Sequence, residues 1–185
     1  MAKAKTKARG KRAKSPDAIA LLKADHRQVS DWFAQFEKAK SGDRKLELAT
    51  RICDALKVHT RIEEEIFYPA FLEATRDKDL HHEAEIEHDA AKKLIAEIDA
   101  SGPDDDYYEA KVKVLSEMIK HHVKEEEQPG GMFAEARKSD MDLAALGVQL
   151  TTRKGELESQ LAQAPPGARK GTNGILQRIA NAATR

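Results

Sequence analysis

The sequence predicts an all-α fold: an antiparallel up-down-up-down bundle of four helices, followed by one extra C-terminal helix. Apolar residues recur every three or four positions along four long segments, which is the period of an amphipathic helix. Short clusters of Gly, Pro, Ser and Asp separate these segments. No segment shows the strict alternation that is typical of a half-buried strand. Helices that have one apolar face and short connections bury that face by packing into a bundle.

Start and stop signals give the limits of the four bundle helices. Ser15-Pro16-Asp17 predicts the start of the first helix, because a capping residue is followed by a proline and an acid. The connections are predicted at Ser41-Gly42-Asp43, at Ser101-Gly102-Pro103 and at Gln128-Pro129-Gly130-Gly131. The predicted helices therefore cover residues 16–40, 43–74, 80–100 and 104–127.

Three further signals concern individual helices. Asp104-Asp105-Asp106 is predicted to open the fourth helix, with its acids at the positive end of the helix dipole. Pro69 is predicted to kink the second helix or to begin its end, because proline lacks the N–H that the helix needs. Ser139-Asp140-Met141-Asp142 is predicted to cap the extra helix.

The charge distribution divides the chain into a folded part and two tails. The 185 residues have a formal net charge of zero, but the first fourteen hold seven Lys/Arg and no acid. The predicted divisions are a disordered basic tail at 1–15, a four-helix domain at 16–137, a C-terminal helix at 138–163 and a basic, Pro/Gly-containing tail at 164–185.

The composition favours a cytoplasmic protein without a membrane segment. A single cysteine, Cys53, excludes an intrachain disulfide and fits a reducing compartment. No apolar run reaches membrane-spanning length, and the basic N-terminal tail lacks the apolar part of a secretory signal. That tail is interpreted as a solubilising segment. Contact with nucleic acid or another polyanion, or a targeting role, are the alternatives.

Histidines and glutamates interrupt the apolar stripes of the predicted helices. His59 and Glu63 lie four residues apart, so both side chains point to the apolar face of the second helix. The fourth helix repeats this arrangement. The six polar residues on the stripes are His26, His59, Glu63, His88, His122 and Glu126. Since polar groups in a core must be paired, hydrogen-bonded or bound to a cation, the pattern predicts a metal site.

The two halves of the predicted bundle repeat each other. Asp25-His26 corresponds to Glu87-His88, and the next H-x-x-x-E motif begins 33 residues later in the first half and 34 later in the second. Six ligands are too many for one tetrahedral zinc site and suit two metal ions, with the glutamates bridging and the histidines terminal. Mixed imidazole and carboxylate ligation suits iron, with zinc or manganese as alternatives.

The remaining histidines and nearby acids lie off the stripes. His81, His82 and His121 are predicted to be solvated. A further acidic set is predicted to form an exposed face or to orient the histidines from outside the site. This set comprises Glu64, Glu65, Glu125 and Glu127.

These motifs resemble those of the hemerythrin-like, or HHE cation-binding, domain family. The resemblance covers about residues 17–137. It rests on Asp25-His26, on His59-x-x-x-Glu63 followed by Ile66-Phe67-Tyr68-Pro69, on Glu87-His88, and on His122-Val123-Lys124-Glu125-Glu126-Glu127. It implies a four-helix bundle that holds a non-haem di-iron centre. The activities it implies are reversible O₂ binding, sensing of oxygen or iron, and handling of nitric oxide or peroxide.

The sequence differs from oxygen-carrying hemerythrins at one ligand position. Those proteins have H-x-x-x-H on the third helix, but here Ala84 stands four residues before His88. They also have H-x-x-x-x-D on the fourth helix, where this chain has H-x-x-x-E. Glu85 or water is the expected replacement for the missing histidine. A more open iron favours redox turnover or iron sensing over simple oxygen carriage.

Three function classes follow from the sequence. The first is a non-haem di-iron protein that binds or reacts with O₂, NO or peroxide, or senses iron. The second is a ferritin-like di-iron oxidase, which needs Glu-x-x-His on two helices, whereas only Glu85 and His88 fit that spacing. The third is a metal-stapled interaction protein that acts through its basic tails. The sequence leaves open whether the protein is an enzyme, and it leaves the oligomeric state open.

Overall fold

The computed structural model describes residues 16–163, which form helices joined by short turns and contain no strand. Its elements are α1 (Ala18–Lys38), α2 (Gly42–Ile62), a π-helical turn (Glu63–Phe67), α3 (Tyr68–Thr75), α4 (Lys78–Ala100), α5 (Tyr108–Glu127), α6 (Met132–Lys138) and α7 (Leu143–Gln163). Because α2, the π turn and α3 follow each other without a break, they form one long arm of the bundle. The other three long arms are α1, α4 and α5.

The helices pack as two antiparallel hairpins. The first hairpin pairs α1 with α2, and the second pairs α4 with α5. The hairpins meet where α2 packs against α4 and α1 against α5, and α7 lies across α1 and α2. This arrangement confirms the predicted four-helix bundle with a C-terminal helix.

Capping side chains start the helices close to the predicted positions. Asp17 caps α1, since its Oδ1 accepts a hydrogen bond of 2.7 Å from the backbone N–H of Ala20. The prediction that three aspartates open the fourth helix is wrong. Asp105 instead forms a turn, in which its Oδ1 accepts from the N–H of Tyr107 at 2.8 Å, and α5 begins only at Tyr108. Aspartate competes for backbone donors in this way, which favours a turn over a helix.

The π turn changes the phase of the second arm. On a regular helix the stripe of His59 and Glu63 would continue through Ile66 and Ala70, but both are only partly buried, whereas Phe67 and Phe71 are fully buried. A π turn closes its hydrogen bonds over five residues, and here the N–H of Tyr68 donates to the carbonyl of Glu63. The stripe therefore shifts by one residue after Glu63.

Pro69 does not end the second arm, which continues to Thr75. The proline lies in the first turn of α3, directly after the π turn. An extra residue in the preceding turn accommodates a proline, because the regular i−4 bond is already interrupted there. The second arm was predicted to run to residue 74 and ends at Thr75. The break in regularity that was expected at this proline takes the form of the π turn.

The bundle core consists of two apolar clusters. The first cluster lies at the end of the bundle near α3, α6 and α7, and it includes Leu22, Ile62, Phe67 and Phe133. The second cluster fills the opposite half and includes Val29, Ile52, Cys53 and Leu115. On α1 the first cluster ends with Leu22 and the second begins with Val29, so a belt of buried polar side chains at the level of His26 lies between them. The belt is enclosed by apolar residues along the bundle axis.

None of the described helices is long and apolar enough to cross a membrane. The two basic tails, residues 1–15 and 164–185, lie outside the described residues. The predictions made for them, together with the division of the chain at 137 and 163, stay predictions.

Candidate metal centre

The structure brings all six predicted polar residues together in the middle of the bundle. Each of the four long arms contributes one histidine, and the arms that carry H-x-x-x-E each add a glutamate. All six side chains are buried, with at most 7% of any residue exposed. They are His26, His59, Glu63, His88, His122 and Glu126.

Three of these residues form one compact group, in which His26 and His59 face Glu63. The two imidazole Nε2 atoms are 3.0 Å apart. The Nε2 of His59 is 3.2 Å from Glu63 Oε2, and the Nε2 of His26 is 3.3 Å from Glu126 Oε2. These four atoms surround a first position for a cation.

The second hairpin supplies an equivalent group, in which His88 and His122 also face Glu63. Their Nε2 atoms are 3.2 Å apart. The Nε2 of His88 is 3.4 Å from Glu63 Oε2, and that of His122 is 3.7 Å from Glu126 Oε2. The two groups therefore share Glu63, with Glu126 placed against both.

The outer nitrogens of two histidines face acids of their own hairpin. The Nδ1 of His122 donates to Glu87 Oε2 at 2.7 Å, and the Nδ1 of His59 lies 3.5 Å from Asp25 Oδ2. Each of these acids directly precedes the first histidine of its hairpin. Adjacent residues on a helix point about 100° apart. Each acid therefore contacts the histidine of the neighbouring helix and not the histidine that follows it in sequence.

The other two outer nitrogens face acids of the opposite hairpin. The Nδ1 of His26 donates to Glu127 Oε1 at 2.8 Å, and the Nδ1 of His88 donates to Glu64 Oε1 at 3.0 Å. Both acids directly follow a glutamate of the centre. The arrangement has the pseudo-twofold symmetry of the two hairpins. Hydrogen bonds orient three imidazoles with Nε2 inward, whereas the Nδ1 of His59 has only the 3.5 Å contact with Asp25.

This support determines which nitrogen carries the proton. A carboxylate only accepts, so the Nδ1 that faces it carries the hydrogen, and in the neutral imidazole the Nε2 presents a bare lone pair. Two such lone pairs at 3.0 and 3.2 Å repel each other unless a metal ion or a shared proton lies between them. Ligand atoms about 2.0–2.1 Å from a tetrahedral metal are about 3.3 Å from each other. The observed separations fit that value.

The glutamates also lack partners of their own. Both carboxylate oxygens of Glu63 and the Oε2 of Glu126 are buried without a hydrogen-bond partner among the described residues. Buried carboxylate oxygens without a donor carry a large free-energy cost, which cations remove. The residues present therefore fit a pair of metal ions. The ligand role of each residue stays a prediction.

The electrostatics of the carboxyl pair lead to the same requirement. Burial, followed by the charge of Glu63, raises the pKa of the Glu126 carboxyl to about 8. Burial also acts to raise the pKa of Glu63, but His59 and His88 outweigh it and lower that pKa. Two buried carboxylates so close together do not both ionise without added positive charge. Protonated histidines supply that charge in the metal-free centre, and bound cations would supply it when the imidazoles are neutral.

Tyr68 is a residue of the centre that the sequence analysis did not place there. Its hydroxyl donates to Glu126 Oε1 at 3.3 Å and lies 3.1 Å from His88 Nε2. Burial and the charges of Glu63 and Glu126 raise the pKa of Tyr68 well above its usual range, so the phenol keeps its proton. Two signals pointed to this stretch: the break expected at Pro69 and the motif Ile66-Phe67-Tyr68-Pro69, on which the family resemblance rests.

Glu85 does not replace the missing histidine. Its side chain is 54% exposed, and it lies beside His81 on the outer face of α4, whereas Ala84 is buried. The prediction that His81 is solvated is also wrong, since its side chain is only 13% exposed. His121, in contrast, is 61% exposed, as predicted.

The predicted acidic set divides into two pairs. Two members, Glu64 and Glu127, orient histidines of the centre as described above. The other two do not contact it: Glu65 pairs with Arg61 and Arg153, and Glu125 lies 3.2 Å from the exposed His121.

A small cavity lies beside the four histidines. Its volume is about 10 Å³, and all four imidazoles line it, together with apolar residues such as Val29 and Leu56. A volume of that size holds about one water-sized molecule. The centre therefore has room for a ligand of very few atoms.

Comparisons with known proteins agree with this geometry. A model of the hemerythrin HHE cation binding domain matches residues 17–129. A crystal structure of a hemerythrin HHE cation binding domain-containing protein from Mycobacterium kansasii superposes with a TM-score of 0.68 at 22% identity. It covers 84% of this chain and 98% of that chain, which shows the shared fold.

A curated relative, a protein named DNA nickase from Nostoc sp., is 23% identical over 150 residues. The aligned part covers 80% of this chain but only 42% of the nickase. The chain therefore spans less than half the length of that relative.

Proposed function

The chain belongs to the hemerythrin HHE cation-binding family, and on that premise we propose that it is a non-haem di-iron protein that binds or reacts with O₂, NO or peroxide. The observation that carries the proposal is the pair of ligand groups that share Glu63, into which four imidazoles direct bare Nε2 atoms. Mixed nitrogen and oxygen ligation suits iron, with zinc and manganese as the competing metals.

The residues have distinct roles in this proposal. His26 and His59 would hold one cation and His88 and His122 the other, with Glu63 shared between the two groups. Glu126 faces both positions. When bound, a pair of irons supplies one-electron redox chemistry toward a small oxidant. The outer acids keep each imidazole in the tautomer that a metal needs.

Tyr68 provides a proton donor inside the centre. Its phenol is neutral and already donates to Glu126, so it is able to donate instead to a small molecule that enters beside His88. A donor positioned in a water-excluded site stabilises negative charge on such a molecule more than it would in water. This residue favours reaction with O₂ or peroxide over simple storage.

The small cavity supports the choice of ligand class. About 10 Å³ beside the histidines has room for about one water-sized molecule, which favours a ligand of very few atoms. A ferritin-like centre is not supported, because it requires Glu-x-x-His ligands, and the side chain of Glu85 points away from the site.

An anaerobic Fe(II) titration of the metal-free protein tests the proposal. We expect two equivalents to bind, followed by optical changes when the loaded protein is mixed separately with O₂, peroxide and NO. His121→Ala is the matched control, since this histidine neighbours a ligand but faces solvent. Binding of one equivalent or none would overturn the di-iron proposal. Two equivalents without a response to any of the three molecules would favour iron sensing instead.

A further inference from the structure

The first turns of α4 carry a second group of metal-ligating side chains, outside the buried centre. His81, His82 and Glu85 each offer one ligand atom, and these atoms all lie within 4.8 Å of one another. Glu85 is four residues after His81 and three after His82, so all three side chains reach the same patch of the helix surface. None of them takes part in the centre described above.

His81 is the residue that distinguishes this group from an ordinary cluster of exposed side chains. Its side chain is only 13% exposed, and its Nδ1 is buried without a hydrogen-bond partner among the described residues. That nitrogen lies 3.4 Å from Glu85 Oε2. This is close to the separation of about 3.3 Å that two ligands of one tetrahedral cation keep. A cation between the two atoms would satisfy both.

The other side of the group opens into a cleft of about 540 Å³, lined in part by His82 and Glu85. Three carboxylates, those of Glu64, Glu85 and Asp89, face this cleft together with one ammonium group, that of Lys92. Lys92 pairs with two of them, Glu64 at 3.0 Å and Asp89 at 2.8 Å. The acidic excess attracts cations, and water in the cleft is able to complete a coordination shell.

We propose that His81, His82 and Glu85 form a third divalent-cation site, open to solvent. Two imidazoles and one carboxylate select a borderline metal such as Zn²⁺, Co²⁺ or Fe²⁺ over Mg²⁺ or Ca²⁺. The ring of Tyr68 separates this site from the buried centre, since it contacts His81 at 6.0 Å and His88 at 5.3 Å between ring centroids. The proposal does not depend on the chemistry of that centre.

A comparable cluster on α4 and α5 shows how the proposed third site differs from other groups of ligand atoms. Glu87, His121 and Glu125 also bring three ligand atoms together. There, however, the histidine is 61% exposed, and one oxygen of Glu87 already accepts from His122. The buried atom without a hydrogen-bond partner in this cluster is an oxygen, Glu125 Oε2, and the cluster offers one imidazole where the proposed site offers two, so it serves as the control.

Equilibrium dialysis of the full-length, metal-free protein against Co²⁺ counts the sites. We expect three equivalents, two tight and one weaker. His82→Ala removes one of three ligands from an exposed position, so it should weaken the third equivalent by more than about 100-fold and leave the first two unchanged. His81→Ala should do the same, and His121→Ala should retain all three.

His82 is exposed, so His82→Ala still tests the site even if His81→Ala disturbs the packing of Tyr68. Binding of no equivalent beyond those held by the buried centre would overturn the proposal. So would a weaker equivalent that persists in His82→Ala, or one that disappears in His121→Ala. If the buried centre did not bind metal, the two tight equivalents would be missing in the unaltered protein, which is a separate result.

Discussion

Each buried histidine is held between a proposed metal position and an acid from another helix. The acid lies outside the ligand set, yet it decides which ring nitrogen carries the proton. For His26 this acid is Glu127, which also pairs with Lys23 at 2.9 Å. Carboxylates in this position raise the basicity of the imidazole and restrict its rotation. Metal affinity therefore depends on residues that contact no metal.

Removal of such an acid should weaken metal binding without changing the ligands. For Glu127→Ala we expect a loss of roughly 10- to 100-fold in affinity, measured by competition with a chromophoric chelator. Glu65→Ala is the control, because Glu65 pairs with Arg61 and Arg153 and should leave the affinity unchanged. An equal loss in both variants would mean that overall negative charge, and not support of His26, sets the affinity.

Tyr68→Phe separates metal binding from reactivity. The phenol hydroxyl is buried within hydrogen-bond distance of Glu126 and His88, so its loss removes a proton donor from the centre. We expect two iron equivalents still to bind, while oxidation of the ferrous protein by O₂ or peroxide slows by on the order of 100-fold. Stopped-flow absorbance measures the rate. An unchanged rate would show that the hydroxyl has only a packing role.

Among the helical elements, the π turn has the largest effect on the centre. Residues five apart on a regular α-helix point about 140° away from each other. A turn closed over five residues instead brings Glu63 and Tyr68 to the same side. The irregular turn thus adds the phenol to a site that a regular helix would leave without it. π turns of this kind are frequent at functional sites.

Helix α7 is attached to the bundle through a close approach at Gly147. A Cβ atom there would overlap the carbonyl oxygen of Pro16 and lie 2.9 Å from the backbone nitrogen of Ala18. The same helix provides Lys154, which pairs with Asp25, the acid that faces His59. The position of α7 therefore bears on the support of one ligand.

Gly147→Ala should lower the free energy of unfolding by about 1–3 kcal/mol, because backbone atoms of α1 cannot move aside as a flexible side chain would. Gly155→Ala lies two turns further along the same helix, where an added Cβ meets nothing. It should raise the free energy by about 0.5–1 kcal/mol through helix propensity alone. Urea denaturation compares the two variants. Equal effects would show that α7 does not pack as described.

In the molecule as a whole, two similar hairpins face each other across one centre. Each hairpin gives a histidine from its first arm and an H-x-x-x-E pair from its second. The acids that support the histidines follow the same symmetry, within and between the hairpins. Neither hairpin contains a complete pair of ligand groups, so the centre exists only when both hairpins are docked.

This symmetry predicts equal effects from equivalent substitutions in the two hairpins. His59→Ala and His122→Ala should each remove most of the bound metal, since each takes one of the three residues that form a ligand group. Metal analysis after anaerobic loading with Fe(II) measures the result. Full loading in either variant, or a loss in His121→Ala instead of His122→Ala, would contradict the assignment of ligands.

The amino-acid order alone was sufficient to predict the bundle and the six residues at its centre. A helix repeats every 3.6 residues, so a histidine on an apolar stripe points inward whatever the neighbouring helices do. Placement of Asp25 and Glu87 required the assembled bundle, because each acid serves the histidine of the adjacent helix. Tyr68 and the outward position of Glu85 likewise became visible only in three dimensions. Both depend on local backbone geometry and on neighbours distant in sequence, which a periodic pattern does not record.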